Sequence, residues 1–286
     1  MTSDKLHHII PDIEANLNLK IFSSTPLSGG DINDVFLMET NNGKFVVKVN
    51  SATSFPGMFE VENEGLNALR NTNTMKIPEV FSVGRYNDTA YLVLEYILPG
   101  PAKYNFWEDF GEKMAMLHQN TNKEFGFNNS NYIGSLPQPN EWCASAIEFY
   151  ISQRLNPQFK IASVNGYSFK NLGTFNKKLE EIIPKEDASL IHGDLWNGNY
   201  IVDSNGHACL IDPSVSYSHR EMDIAMMHLF GGYSQVLFNI YNEIFPLQGE
   251  WKSRLDIWQL YYLLVHLNLF GSSYYGSVEK ILKIYT

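Results

Sequence analysis

The chain has 286 residues, 44% of them hydrophobic and 18% charged, which is enough for a large core or two lobes and excludes a disordered chain. A formal net charge of -10 argues against nonspecific nucleic-acid binding, so any phosphate site has to be built locally from backbone amides, a lysine or a metal. Cys143 and Cys209 make no metal pattern and leave a disulfide open; low cysteine content and an N-terminus, "MTSDKLHHIIPDIEANL", without an apolar signal region are read as cytoplasmic.

Residues 27–49 are expected to form two strands around a turn, with "DVFLMET" alternating, "NNG" as hairpin signal and "KFVVKVN" following. Next, "FPGMFEVENEGLNALRN" sets Phe59, Leu66 and Leu69 near one helical face, with Pro56 ahead and acidic residues early. Two further strands, "EVFSVGRY" and "AYLVLEYI", precede a breaker, "LPGP", at 98–101. Beyond it, "FWEDFGEKMAMLHQN", "AIEFYISQRLNPQF", "FNKKLEEIIP", "REMDIAMMHLF" and "LDIWQLYYLLVHLNLF" read as helices, with a strand pair at 200–211 among them. The most apolar stretch, "LYYLLVHLNLF", is too short to span a membrane and carries His266 and Asn268, so it reads as a buried helix. The order predicts an α+β chain of two lobes, 1–96 and 97–286, joined near 96–101 with a ligand cleft between them.

The chemistry concentrates in "LIHGDLWNGNYIVDSNGHACLIDP", residues 190–213. Asp, Asn and Gly at the ends of apolar runs are ordinary turn residues. Here they also follow the grammar of a kinase catalytic loop: Asp194, then Asn199 five residues on, a hairpin, and Asp212. An alcohol is a poor nucleophile until its proton is accepted, which suits Asp194 as the base. Magnesium takes oxygen ligands and leaves positions open for phosphate, which suits Asn199 and Asp212. Upstream, in the expected order, stand Gly29 and Gly30, whose amides could approach a phosphate closely, and Lys48, suited to the α- and β-phosphates. Glu62 is the leading partner for Lys48, with Glu64 and Glu60 as competitors. A lysine alternating with valines would otherwise face solvent. Glu95, Tyr96 and Ile97 fall where a hinge would meet the adenine edge of ATP.

With those residues in place, the chain resembles the fructosamine kinase (ketosamine-3-kinase) family, within the protein-kinase-like and aminoglycoside-phosphotransferase-like fold. The resemblance rests on "HGDLWNGN" (192–199), "FWEDFGEKMAMLH", "FGFNNSNYIGSLPQPN" (125–140), "EFYISQRLNPQ" (148–158) and "SHREMDIAMMHLFGG" (218–232), and spans most of the chain. It implies a bilobal fold, with a small β-rich N-terminal lobe carrying one main helix and a larger helical C-terminal lobe. It implies transfer of the γ-phosphate of ATP, with Mg2+, to the third-carbon hydroxyl of a ketosamine, free or protein-bound, which promotes deglycation. Trp196 would stack on the sugar or belong to the core. Asp223 resembles the helix-start aspartate that holds the catalytic loop, and is read as structural. Arg220 and Glu221 are expected to pair internally rather than line the acceptor site. His118 reads as a helix histidine, and His219 stays undecided. Some relatives carry a redox-sensitive cysteine in the glycine loop; Asp31 stands there in this chain, so no disulfide switch is expected, and dimerisation stays open. The rival readings are a kinase for another small alcohol, of the aminoglycoside, choline or homoserine type, and a catalytically dead kinase-fold binding module.

Overall fold

A computed structural model of the chain describes residues 2–27 and 32–286, with side chains from Leu6 onward. In chain order the elements are α1 (Thr2–Leu17), β1 (Ile21–Pro26), β2 (Asp34–Thr40), β3 (Gly43–Ser51), α2 (Met58–Asn71), β4 (Val80–Tyr86), β5 (Thr89–Glu95), α3 (Phe106–His118), β6 (Thr121–Asn122), β7 (Asn131–Ile133), β8 (Leu136–Gln138) and α4 (Ala146–Phe149). Then come a π-helical turn (Tyr150–Leu155), α5 (Asn156–Val164), α6 (Leu172–Ile182), β9 (Ala188–Ile191), β10 (Tyr200–Val202), β11 (Ala208–Leu210), β12 (Ser216–Ser218), α7 (Glu221–Phe230), α8 (Gln235–Ile244), α9 (Leu255–Phe270) and α10 (Tyr275–Ile284). The chain divides into two compact units, one running to Lys103 with Ile201–Ile211 added, the other comprising Tyr104–Tyr200 and Asp212–Thr286.

The first unit is built on a five-stranded antiparallel sheet in the order β1-β2-β3-β5-β4. The "NNG" turn joins β2 to β3 with Thr40 paired to Gly43. Strand period two sends Phe36, Met38, Val47, Val49, Tyr91 and Val93 to one face. There they meet Leu6, Ile9 and Ile13 of α1, spaced as one helical stripe. This helix is a second one beside α2, where one main helix was expected. Pro11 inside it and the polar residues around it mask its periodicity, yet Pro11 itself is exposed and the stripe is buried. The β10–β11 hairpin groups with this unit because its hydrogen bonds run there: Leu210 N–H donates to Lys76 C=O and Gly100 N–H to Val202 C=O, both at 3.0 Å. Cys209 is buried in β11, as its apolar run suggested, and both cysteines are free.

The second unit packs its helices around one large apolar core that includes Phe149, Phe175, Ile191, Met222, Trp258, Tyr262 and Leu264. α9 is apolar around its whole circumference and buried, the arrangement such a helix needs. Among the described residues no helix is long and apolar enough to cross a membrane. A three-stranded sheet, β12-β9-β6, ends β9 at Ile191, immediately before the segment that carries the chemistry.

Candidate active site

β9 is buried along its whole length, and the chain leaves it through His192 and Gly193. Gly193 has φ +83°, and a Cβ there would stand 2.1 Å from the Ser214 carbonyl oxygen, so only glycine fits this turn. Asp223, at the start of α7, accepts the His192 N–H through Oδ2 and the Gly193 N–H through Oδ1, both at 2.8 Å. Its Oδ2 also lies 3.3 Å from His118 Nε2, and His118 Nδ1 lies 2.8 Å from the Tyr241 hydroxyl. Burial alone would raise the Asp223 pKa, but hydrogen bonding and charge from His118, the charge of His192 and the Gly193 amide together pull it below its usual value. Asp223 therefore holds the turn as a buried anchor, and His118 orients it.

Asp194 follows, partly exposed. Asn199 is buried and donates its amide to the Asp194 carbonyl oxygen at 2.8 Å and to Oδ2 at 3.1 Å. Burial, then repulsion from Asp212, and more weakly from Asp223, push the Asp194 carboxyl up to about 7 against the pull of the Asn199 hydrogen bond. Between Asp194 and Asn199 the loop closes on itself, with Trp196 N–H donating to Asp194 C=O at 3.1 Å and Asn199 N–H to Trp196 C=O at 3.0 Å. The Trp196 ring lies against Gly198, where a Cβ would overlap it, and is 41% exposed, outside the buried core. Gly232 packs on Asn197, and next to it Phe230, His266 and Phe270 make an aromatic group at the ends of α7 and α9.

Asp212 follows β11 with φ +56°, a left-handed conformation uncommon for a residue other than glycine. The chain after it is held by Ser214 N–H donating to His192 C=O at 2.8 Å and the Ser214 hydroxyl donating to Tyr132 C=O at 2.7 Å. Asn199 spends its NH2 on Asp194 and keeps Oδ1 as an acceptor, while Asp212 offers a carboxylate. Hard oxygen donors of this kind fit a divalent magnesium ion. Among the described residues there is no group of three or more His, Cys, Asp or Glu that could hold a metal ion.

In the first unit, Lys48 on β3 pairs with Val35 and Leu92 across the sheet, which places it on the face opposite α1. It is 6% exposed and donates to Glu62 Oε1 of α2 at 2.5 Å. The structure thus brings Lys48 together with Glu62 rather than turning it to solvent. Glu95 ends β5 and is held by Lys76 Nζ at 2.5 Å and by the Glu79 N–H at 3.2 Å; Tyr96 follows half-buried and Ile97 buried. Gly29, Gly30 and Asp31 lie outside the described residues.

Two charged residues of α7's start are structural. Arg220 holds Glu186 and the carbonyls of Phe245 and Pro246, with its guanidinium 3.7 Å over the Phe245 ring. Glu221 is buried against Arg254 and accepts the Trp258 indole N–H at 2.8 Å. Both pair inside the protein, each with a residue distant in sequence. His219 stacks on Trp258, and burial pulls its pKa down. Sequence reasoning gave no role to Asn131, Gln138, Asn140 and Arg154, which the structure gathers into one buried polar group against Ser214, Val215 and Ser216. The signal available was a set of polar residues within the 125–158 blocks, indistinguishable by type from a solvated loop.

A family model described as fructosamine kinase matches residues 6–285. The chain is similar to a probable ketoamine kinase of Enterococcus faecium, 37% identical over 94% of this chain and 96% of that one. It is similar also to a chloroplastic protein-ribulosamine 3-kinase of Arabidopsis thaliana, 34% identical over 91% of this chain and 81% of that one. The solved structure of a candidate fructosamine-3-kinase from Haemophilus somnus superposes with a TM-score of 0.88 at 27% identity, over 98% and 97% of the two chains. An aminoglycoside phosphotransferase, APH(4)-Ia, solved with ADP and hygromycin B, shares the fold at a TM-score of 0.65 and 15% identity, over 96% and 98%. The fold is therefore protein-kinase-like.

Proposed function

This chain belongs to the fructosamine kinase family, and from that membership we propose that it is a ketosamine 3-kinase, transferring the γ-phosphoryl group of ATP to the third-carbon hydroxyl of a sugar–amine adduct. Kinase activity toward a hydroxyl of a ketosamine follows from the family. The residue roles are assigned from the site.

The observation that carries the assignment is Asp194, set in its loop by Asn199 and by the Asp223 anchor. Asp194 accepts the proton of the acceptor hydroxyl as that oxygen bonds to the γ-phosphorus; the bond from phosphorus to the β–γ bridging oxygen breaks, and ADP leaves with the electron pair. Asn199 Oδ1 and the Asp212 carboxylate would hold Mg2+, which supplies charge neutralisation of the phosphates when bound. Lys48, fixed by Glu62, is assigned to the α- and β-phosphates, Gly29 and Gly30 to the loop over them, and Glu95, Tyr96 and Ile97 to the adenine edge. We read residues 1–96 as the nucleotide-binding lobe and 97–286 as the catalytic and acceptor-binding lobe, with Ile97 at the join and Asn199 and Asp212 reaching the nucleotide through the metal. The exposed Trp196 ring offers an apolar face for the sugar. Use of ATP places the reaction in an ATP-bearing compartment, which we take to be the cytoplasm.

Ribulosamine and erythrulosamine adducts, free and on protein lysines, should be phosphorylated with ATP in the presence of magnesium, alongside fructosamines, choline, homoserine and an aminoglycoside as comparison acceptors. Phosphate transfer to a comparison alcohol in preference to every ketosamine overturns the substrate reading. Absence of transfer to any acceptor, with nucleotide binding intact, favours an inactive binding module.

A further inference from the structure

The segment Ser214–Ser216, just beyond Asp212, is gripped by a buried polar network that has no part in the assignments above. Asn131 Nδ2 donates to the Val215 carbonyl at 2.8 Å, and Gln138 Nε2 donates to the Ser214 carbonyl at 3.2 Å. Arg154 Nη2 donates to the Ser216 hydroxyl at 3.1 Å. These side chains are tied to one another as well. Asn131 Oδ1 accepts from Gln138 at 2.7 Å and from Asn140 at 3.0 Å, and Asn140 Oδ1 accepts from Arg154 Nη2 at 2.7 Å. Tyr261 of α9 closes the set by donating to Gln138 Oε1 at 2.5 Å.

Arg154 is the costly member. It is 1% exposed, and among the described residues no carboxylate lies within ion-pair distance of it. It is served by neutral oxygens, those of Asn140 and Ser216 and the Pro139 and Gln153 carbonyls, and by the Phe149 ring 4.4 Å from its guanidinium. Burial pulls its pKa down, the direction expected of a desolvated cation. A buried cation without an anion is unfavourable unless its hydrogen bonds are close to complete. It also projects from the π-helical turn Tyr150–Leu155, an irregularity that re-aims side chains and often marks functional positions.

What the network holds is the stretch that begins two residues after Asp212, the residue with the unfavourable backbone. A non-glycine residue at φ +56° persists only where its surroundings over-determine it. Ser214, two residues on, is also tied to the catalytic turn, its N–H donating to His192 C=O at 2.8 Å. From there the chain is fixed at three successive residues, Ser214, Val215 and Ser216, by Gln138, Asn131 and Arg154. We propose that Arg154, acting through Asn140, Asn131 and Gln138 and directly on Ser216, is a positioning residue for Asp212. The β7–β8 hairpin then serves the metal–nucleotide end of the reaction and not acceptor recognition. This inference rests on the reading of Asp212 as the metal ligand.

The test is calorimetric binding of ADP with and without Mg2+, read next to steady-state kinetics, on wild type, Arg154→Met, Ser216→Ala, Ser216→Thr and Asp212→Asn. Arg154→Met is expected to weaken Mg2+-dependent ADP binding about tenfold or more, leave metal-free ADP binding unchanged, and raise KM for MgATP without moving KM for the ketosamine. Ser216→Ala should produce the same pattern at a few-fold, and Ser216→Thr, which keeps the hydroxyl, should restore it. A role in stability alone would lower the melting temperature and the active fraction while leaving both affinities as in wild type. That outcome, or a shift of the ketosamine KM with magnesium-dependent binding intact, overturns the proposal. If Arg154→Met does not fold, the Ser216 pair decides on the same criteria. Asp212→Asn separates the two levels: retained magnesium dependence there removes the metal-ligand reading itself, whereas its loss there with wild-type behaviour in the Arg154 and Ser216 variants removes the positioning role alone.

Discussion

Asn199 holds Asp194 at two points, its amide donating to the backbone carbonyl at 2.8 Å and to the carboxylate at 3.1 Å. One side chain thus fixes both the loop and the base on it, and still presents Oδ1 elsewhere. Asp194→Asn should keep this geometry, because the new amide oxygen can accept the same hydrogen bond, while removing the base. The expected loss in kcat is about 10²–10⁴-fold with MgADP affinity close to wild type. Turnover near the wild-type rate would remove Asp194 from its role.

The same substitution should make the metal-free protein more stable at alkaline pH. The Asp194 carboxyl is raised in the fold to about 7, above its unfolded value near 3.8. A raised acid favours the protonated folded form, so this contribution to stability is complete below about pH 4 and is lost as pH rises through about 7. The lost amount is roughly 2–4 kcal/mol at pH 8. Thermal unfolding in the presence of a chelator should show Asp194→Asn melting above wild type at pH 8, with the gap closing toward pH 5. Equal melting temperatures across that range would mean that the carboxylate is not destabilised.

Lys48 and Glu62 are both largely buried, so breaking the pair differs from replacing it. Glu62→Ala removes the carboxylate bonded to the buried Lys48 ammonium and is expected to lower stability by about 1–3 kcal/mol. Lys48→Met with Glu62→Leu removes both charges and should recover most of that loss in urea melts. The double variant should nonetheless keep a strongly raised KM for ATP. Recovery of nucleotide affinity along with stability would make the pair purely structural.

Asp223→Asn tests the anchor of the catalytic turn. One of two buried amides, of His192 or Gly193, loses its carboxylate partner, at a cost of about 1–3 kcal/mol. Because the Asp223 pKa is lowered in the fold, its contribution is present above about pH 4 and fades as pH falls through the folded value, so the stability difference should shrink in acid. Circular-dichroism melts at several pH values provide the check, and a constant difference down to pH 2 would contradict it.

Strands β2 to β5 of the first unit were legible because a half-buried sheet writes period two into its sequence, and the "NNG" turn set the β2–β3 register, whereas the edge strand β1, exposed along nearly its whole length, carries no such period. The catalytic loop was legible because its residues are consecutive. α1 was not, since Pro11 and polar residues interrupt its stripe, nor were the two- and three-residue strands β6, β7, β8 and β12, too short to carry a period. The burial of Lys48 ran against the local pattern, because α2 covers a face that alternation alone would leave to solvent. The partners of Arg154 were illegible for a different reason. Asn131, Gln138, Asn140 and Ser216 come together only through the tertiary fold, and nothing in a polar loop sequence distinguishes a buried network from a wet one.

The burial of Asn131, Gln138 and Asn140 within the 125–140 block changes where acceptor choice should be sought. Asn131, Gln138 and Asn140 are almost wholly buried and engaged with one another, so they offer little to a sugar. Trp196 is different: it sits two residues from the base, lies on Gly198 and keeps 41% of its surface exposed. A sugar presents an apolar ring or chain face that an indole can cover, and hydroxyls that a site built for them discriminates strongly. A ribulosamine should therefore exceed choline in kcat/KM by about 10²-fold or more, since choline lacks those hydroxyls. Trp196→Ala should raise KM for the ribulosamine about tenfold, leave MgADP binding as in wild type, and narrow the ratio between the two acceptors. The deciding numbers are the kcat/KM values for both acceptors in both proteins under one set of conditions. A ratio near one in wild type would mean that the fold has been read correctly and the substrate wrongly. An unchanged acceptor KM in Trp196→Ala would take the indole out of the sugar site and leave it a packing role over Gly198.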